Sequence, residues 1–222
     1  MKKIFFNVFF FVVVFGSVVS AQSFEGVIVY QTKLYNPDSN NISDSIWNSS
    51  ILEELGLDGS MKQTYYYKNS NYLIEIETKK TSGYQLFVPR RSMIYSWERN
   101  SDTAVAVNAA KSIDIVREVK ELEGTETIAG VLCRKLLITT NFGEIIVWYN
   151  PDYLITDPFL FREHHYNQWE TILSHTRAIP FRIEQKNGML HVVQTLVSFE
   201  STAINDSKFN LQKFTYIHNA IE

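Results

Sequence analysis

Apolar and polar residues alternate in short runs along most of the chain, broken by Gly, Pro, Asn, Asp and Ser, and helical spacing is rare. A period of two sends successive side chains to opposite faces of a strand, so the pattern predicts a mainly β protein. Phe24 to Tyr35 opens with Val27, Ile28 and Val29. Tyr65 to Tyr67 and Tyr72 to Thr78 read as a hairpin turning at residues 68–71, with Tyr72, Ile74 and Ile76 on one face and Glu75 and Glu77 on the wetter one. Tyr84 to Val88, Ser92 to Trp97 and Thr103 to Val107 follow, then Ile113 to Glu121, Val131 to Thr140 and Glu144 to Tyr149. Ile179 to Lys186 and Met189 to Phe199 flank Asn187 and Gly188, the strongest hairpin signal in the chain. Tight turns between so many strands predict an antiparallel meander.

Two segments carry a helical stripe instead. Between Ser45 and Leu57, Trp47, Ile51 and Leu55 recur every fourth residue beside Leu52. Ser50 and Glu53 form a capping box that would start the regular helix at Ser50, and Gly56 and Gly59 offer stops. The second helix is expected over Phe161 to Thr176, where Tyr166, Trp169, Ile172 and Leu173 share a face between breaks at Pro158 and Pro180.

The first residues stand apart from this pattern. Met1, Lys2 and Lys3 precede an apolar stretch from Ile4 to Val19 that falls short of the roughly 20 residues needed to span a bilayer. With Val19, Ser20 and Ala21 at its end, it reads as a secretory signal peptide, residues 1–21, rather than a stable transmembrane anchor. The mature chain would begin at Gln22, where a lipid-anchored protein would need cysteine, and residues 22–222 would form one domain in the periplasm or outside the cell.

Composition narrows the function. The chain is 45% hydrophobic and 20% charged, with a net charge of -3, and losing Lys2 and Lys3 makes the remainder more acidic still. That excludes intrinsic disorder and gives nucleic acid no basic footprint. Cys133 is the only cysteine, so no internal disulfide can form; in its apolar strand it reads as a small buried thiol. Glu163, His164, His165 and His175 are the one cluster to weigh as a metal site. Adjacent imidazoles diverge, whereas a zinc-protease helix needs them at i and i+4. Gly-x-Ser-x-Gly and Gly-x-Gly-x-x-Gly are absent, and Glu118, Glu121, Glu123 and Glu126 read as a solvated face. No catalytic residue, metal or cofactor is assigned. The aromatic load, 15 Phe, 12 Tyr and 4 Trp, stays high even with Phe5, Phe6, Phe9, Phe10, Phe11 and Phe15 in the leader. It could fill the protein's own core, or it could line an apolar pocket in a sheet curled around the Trp47 helix.

Glu126, Thr127, Ile128, Ala129, Gly130, Val131, Leu132, Cys133, Arg134 and Lys135, followed by Ile146, Val147, Trp148 and Tyr149, resemble a motif of secreted Bacteroidota proteins. In these a strand of the form tiaGyxCkk leads into one ending in vWy. Phe24 to Tyr30, Ile179 to Glu184 and Ser207 to Phe209 fit the same pattern. The chain is similar to a family of unknown function near the GLPGLI proteins, although Asn150, Pro151, Asp152 and Tyr153 stand where the GLPGLI motif would be. The resemblance implies a LolA-like lipoprotein-carrier half-barrel: a strongly curved antiparallel sheet with one or two helices on its concave side and a hydrophobic cavity. It transfers no activity; Gly130 reads as a turn glycine, and Cys133 and Trp148 as packed side chains.

These readings converge on a non-enzymatic envelope protein that binds a lipid, a lipoprotein acyl chain or another hydrophobic ligand. Trp47, Ile51, Leu55, Trp97 and Trp148 are the expected cavity residues. The alternative is an envelope scaffold with a filled core, contacting a partner protein through exposed tyrosines such as Tyr65, Tyr66 and Tyr67.

Overall fold

The computed structural model describes residues 23–56 and 59–220, so the expected leader lies outside the described residues. The strands are β1 (Gly26–Tyr35), β2 (Ser60–Lys68), β3 (Asn71–Glu77), β4 (Ser82–Val88), β5 (Met93–Glu98) and β6 (Thr103–Asn108). They continue as β7 (Val116–Ile128), β8 (Val131–Thr140), β9 (Gly143–Tyr149), β10 (Arg182–Asn187), β11 (His191–Ser201) and β12 (Tyr216–Asn219). All belong to one open 12-stranded sheet in the order β12-β6-β5-β4-β3-β2-β1-β11-β10-β9-β8-β7. Every pair is antiparallel except β12 with β6, which run parallel and depart from the expected pure meander. No helix among the described residues is long and apolar enough to cross a membrane.

Local chemistry accounts for the turns. Ala129 and Gly130 both take positive φ, 48° and 80°, and close β7 onto β8 with the twist a two-residue hairpin needs. At the β10–β11 turn the Asn187 carboxamide does the shaping, since its Oδ1 accepts from the amides of Met189 and Leu190. The β7–β8 register slips between Leu122 and Glu126, where Gly124 supplies a φ of 82°, and β1 slips against β11 at Val29 and Tyr30. Both irregularities bend their strands.

The cross-strand register fixes which side chains share a face. Ile28, Tyr65, Ile74 and Gln85 stand opposite one another across β1 to β4, and Leu136, Val147 and Ile183 do so across β8 to β10. Against this face packs the segment from Tyr153 to Phe181. It contributes Leu154, Phe161, Leu173, Ile179 and Phe181 to the main buried cluster, while Ile172 joins Leu136, Ile138, Ile145 and Val147. Tyr30 OH donates to the carbonyl of Pro180 at 2.6 Å, and the amides of His165 and Tyr166 donate to the carbonyl of Ala109, so both halves of the sheet hold this wedge.

The wedge is not the single helix expected over Phe161 to Thr176. The helix α2 covers only Trp169–Thr176, after short 3-10 turns at Pro158–Phe161 and Tyr166–Gln168. Asn167 and Gln168 take left-handed φ values of 53° and 58°, which a continuing right-handed helix cannot contain. Gln168 is anchored there by its Nε2, which donates to the carbonyl of Asp114 at 2.6 Å.

The other expected helix, α1, runs over Asp44–Leu55 and is capped by Ser43, whose hydroxyl accepts from the amide of Ile46. The capping box at Ser50 does not form; Ser50 Oγ donates back to the carbonyl of Ile46 inside the helix. Only α2 packs into the concave side. The α1 helix buries no residue fully and leans on the β3–β4 turn, where Lys80 bridges Glu53 and Glu54 at 2.8 Å each.

The opposite face of the sheet is crossed by the chain after β11. Lys68 pairs with Asp206 at 2.8 Å, Lys208 pairs with Glu75 at 2.7 Å over the Tyr66 ring, and Phe214 packs edge-on against Trp97. This strap leads directly into β12.

If the wedge carries the core and α1 does not, Leu173→Ala should cost about 2–5 kcal/mol in urea unfolding. Ile46→Ala should stay within about 0.5 kcal/mol.

Candidate functional site

Between the concave sheet face and the wedge lies a cavity of about 290 Å³. One wall is built by Thr32 of β1 with Gln63, Tyr65, Tyr67, Tyr72, Ile74, Ile76 and Gln85 of β2 to β4. Ile145, Ile183, Gln185, Val192 and Gln194 of β9 to β11 form the other, and His164, Tyr166, Asn167, Trp169 and Ile172 close it from the wedge. Strands from β4 to β9 in the sheet order thus line one space, which requires the sheet to curl.

The deep end is aromatic. Tyr65 and Tyr67 stack with centroids 5.8 Å apart, Tyr72 stacks on Phe87 at 5.5 Å, and His164 lies 4.4 Å from Phe87. Such packed rings hold one another in place and leave the cavity a rigid floor. Tyr72 OH and His164 Nε2 are hydrogen-bonded at 2.8 Å, joining sheet to wedge. Burial drives the hydroxyls of Tyr67 and Tyr72 well above their ordinary range and pushes Tyr65 up to about 12, so all three stay neutral. Burial also holds the His164 imidazole down to about 4.

Above the rings sits a belt of carboxamides. Gln63 Oε1 accepts from Thr32 Oγ1 and from Gln194 Nε2, and Gln194 Nε2 also donates to Tyr65 OH at 2.9 Å. No Asp, Glu, Lys or Arg lines the cavity. It can therefore hold an uncharged molecule by apolar contact and neutral hydrogen bonds.

None of the five residues expected from the sequence lines this space. Trp47, Ile51 and Leu55 are half-buried on α1, outside it. Trp97 and Trp148 fall on the opposite face of the sheet by the alternation of their strands: Tyr84 and Trp97 pair across β4 and β5, one residue out of step with Gln85, and Trp148 follows the inward Val147. Trp97 stacks on Tyr84 over a separate surface hollow that Arg99 and Lys208 also border. Trp148 is buried as a structural residue, its Nε1 donating to Glu126 at 2.9 Å and its ring lying under Arg182. Glu118, Glu121 and Glu123 are exposed as expected, and Glu126 is half-buried; Glu126 and Glu121 tie β7 to β9 by accepting from Trp148 Nε1 and Tyr149 OH. Burial raises the Glu126 carboxyl, but its bonds to Arg182 and Trp148 leave it below its ordinary range.

The histidines do not converge: His164 is bound to Tyr72, and His175 Nδ1 sits against the carbonyl of Thr171 in its own helix. Among the described residues no three His, Cys, Asp or Glu side chains gather as metal ligands. Cys133 is buried, its thiol pushed up to about 11 by desolvation. What sequence reasoning missed is the carboxamide belt. Its signal is a Gln at the inward parity of four strands, as in Gln63 between Tyr65 and Met61, or Gln194 between Val192 and Leu196.

No family model and no curated protein matches the sequence. Among solved structures, an uncharacterized conserved protein from Thermus thermophilus is similar over 89% of this chain and 91% of its own, with a TM-score of 0.51 at 10% identity. That likeness concerns the mainly β fold alone. A structure of PNGF-II aligns with 89% of this chain at a TM-score of 0.46 and 15% identity; the chain spans 32% of its length.

His164 gives a pH prediction. Its imidazole is neutral in the fold down to about 4 but protonates near 6.5 once exposed, so the unfolded chain binds the extra proton between those values. Stability should fall as pH drops from about 6.5 to about 4, by a His164 contribution on the order of 3 kcal/mol. Urea titrations across that range should show a shallower decline in His164→Gln.

Proposed function

We propose that this protein is a non-enzymatic binder of a hydrophobic ligand, a lipid or acyl chain, held inside a LolA-like half-barrel. The space between the concave sheet and the wedge carries this function. At about 290 Å³ it matches the lower end of small-molecule sites, roughly 300–1,000 Å³, and its floor and walls are largely aromatic and aliphatic. Each methylene that leaves water on binding contributes about 0.8 kcal/mol, so affinity requires no catalytic group. The same unfilled space weighs against the alternative of an envelope scaffold with a closed core. Export through the residue 1–21 leader, release from Gln22 and action in the periplasm or outside the cell belong to the same proposal, as does kinship with the secreted family near the GLPGLI proteins.

Titration with the uncharged apolar fluorophore N-phenyl-1-naphthylamine tests the site. Saturable enhancement is expected in the natural protein. Filling the space with Val192→Trp or, separately, Ile76→Trp should abolish it while the circular dichroism of the sheet is kept. Equal enhancement in both folded variants would place the binding elsewhere.

A further inference from the structure

The cavity's hydrogen-bonding groups are unevenly used. Gln63 Oε1 already accepts two bonds, while Gln63 Nε2 has no protein partner among the described residues. Tyr65 OH accepts from Gln194, which leaves its own proton to donate. The indole Nε1 of Trp169 is buried with no partner among the described residues. His164 Nδ1 is likewise buried with no partner among the described residues, so the unused groups are neutral donors and acceptors set beside aromatic rings, with no ionised side chain among the lining residues. A molecule meeting them must bring neutral hydrogen-bonding groups of its own, acceptor oxygens among them. If it brought a full negative charge, that charge would leave water with no cation facing it, a cost that neutral donors offset only in part.

The cavity does not end at the belt. A wider groove of about 800 Å³ shares Tyr166, Asn167 and Gln185 with it and opens to solvent at the hairpin tips. Its rim is apolar where a surface would ordinarily be polar: Met189 is 87% exposed, Ile113 71% and Phe142 50%. These three come from separate loops, after β10, before β7 and after β8, and converge on one opening. The outer groove, whose lining also includes Lys111 and Asp114, adjoins the inner space at Tyr166, Asn167 and Gln185, which line both.

We infer that the ligand is a neutral, single-chain amphiphile whose ester, amide or hydroxyl head occupies the inner cavity and whose hydrocarbon chain runs outward over Phe142 and Met189. This rests on the binding function proposed above and adds to it the charge and orientation of the ligand. Head-inward placement follows from the neutral hydrogen-bonding groups lining the inner cavity and from the exposed apolar side chains on the rim of the outer groove.

Competition against N-phenyl-1-naphthylamine at pH 8 provides the test, with 1-monolaurin and laurate as an equal-length pair. Monolaurin should displace the fluorophore at a concentration more than about tenfold below that required by laurate. Tyr65→Phe, which deletes only a hydroxyl, should weaken monolaurin about fivefold more than it weakens the fluorophore. Because Met189 is on an exposed tip, Met189→Asp should fold normally and should erase the gain in affinity from monooctanoylglycerol to monolaurin. Laurate binding as tightly as monolaurin would overturn the neutral-head assignment. An unchanged chain-length gain in Met189→Asp would overturn the orientation. In either case saturable fluorophore binding would keep the hydrophobic-ligand function standing; its absence from the natural protein would remove both.

Discussion

An open sheet of this size has two faces to cover and no second sheet to cover them. The concave face is met by the wedge from Tyr153 to Phe181, which drives Phe161, Leu173, Ile179 and Phe181 into one end of the curl. The back is met by the strap after β11, pinned through Lys68, Lys208 and Phe214. Burial of apolar area is the dominant favourable contribution to folding, so these coverings are as necessary to the sheet as its hydrogen bonds. The wedge reaches only part of the concave face, and the uncovered remainder is the cavity.

Rigid rings keep that remainder from collapsing. Tyr65, Tyr67, Tyr72 and Phe87 contact one another as an array of stacked and tilted rings, and the Tyr72–His164 bond fixes the array to the wedge. A neutral imidazole is required there because an imidazolium would be desolvated among aromatic rings. Floor geometry, cavity polarity and pH response therefore depend on the same few residues. The carboxamide belt adds neutral hydrogen bonding without ionised groups, so one space offers both apolar and neutral polar contacts.

The strands were readable because period-two alternation is a local property; Val131 to Thr140 coincides with β8 to the residue. Other features depended on distant partners. The β12 strand, all exposed, has no alternation to betray it and exists because the strap delivers it to the edge of β6. The stripe through Tyr166, Trp169, Ile172 and Leu173 suggested one helix, yet Gln168 is held in a left-handed conformation by Asp114, more than fifty positions earlier. Trp97 and Trp148 stand outside this cavity for a related reason. Alternation says that neighbours face opposite ways, but which face is concave is decided by where the wedge packs. Aromatic side chains such as Tyr65, Tyr72 and Trp169 do line the cavity, and so do polar glutamines at inward parity, which hydrophobic alternation by itself does not mark.

Native mass spectrometry of the protein from residue 22 onward, produced in a bacterial periplasm and then extracted with organic solvent, tests most directly whether the cavity is a ligand site. The account predicts a bound species that survives gentle ionisation, is lost in Val192→Trp, and is recovered in the extract as a neutral amphiphile. An apo mass that persists after incubation with monolaurin would contradict it.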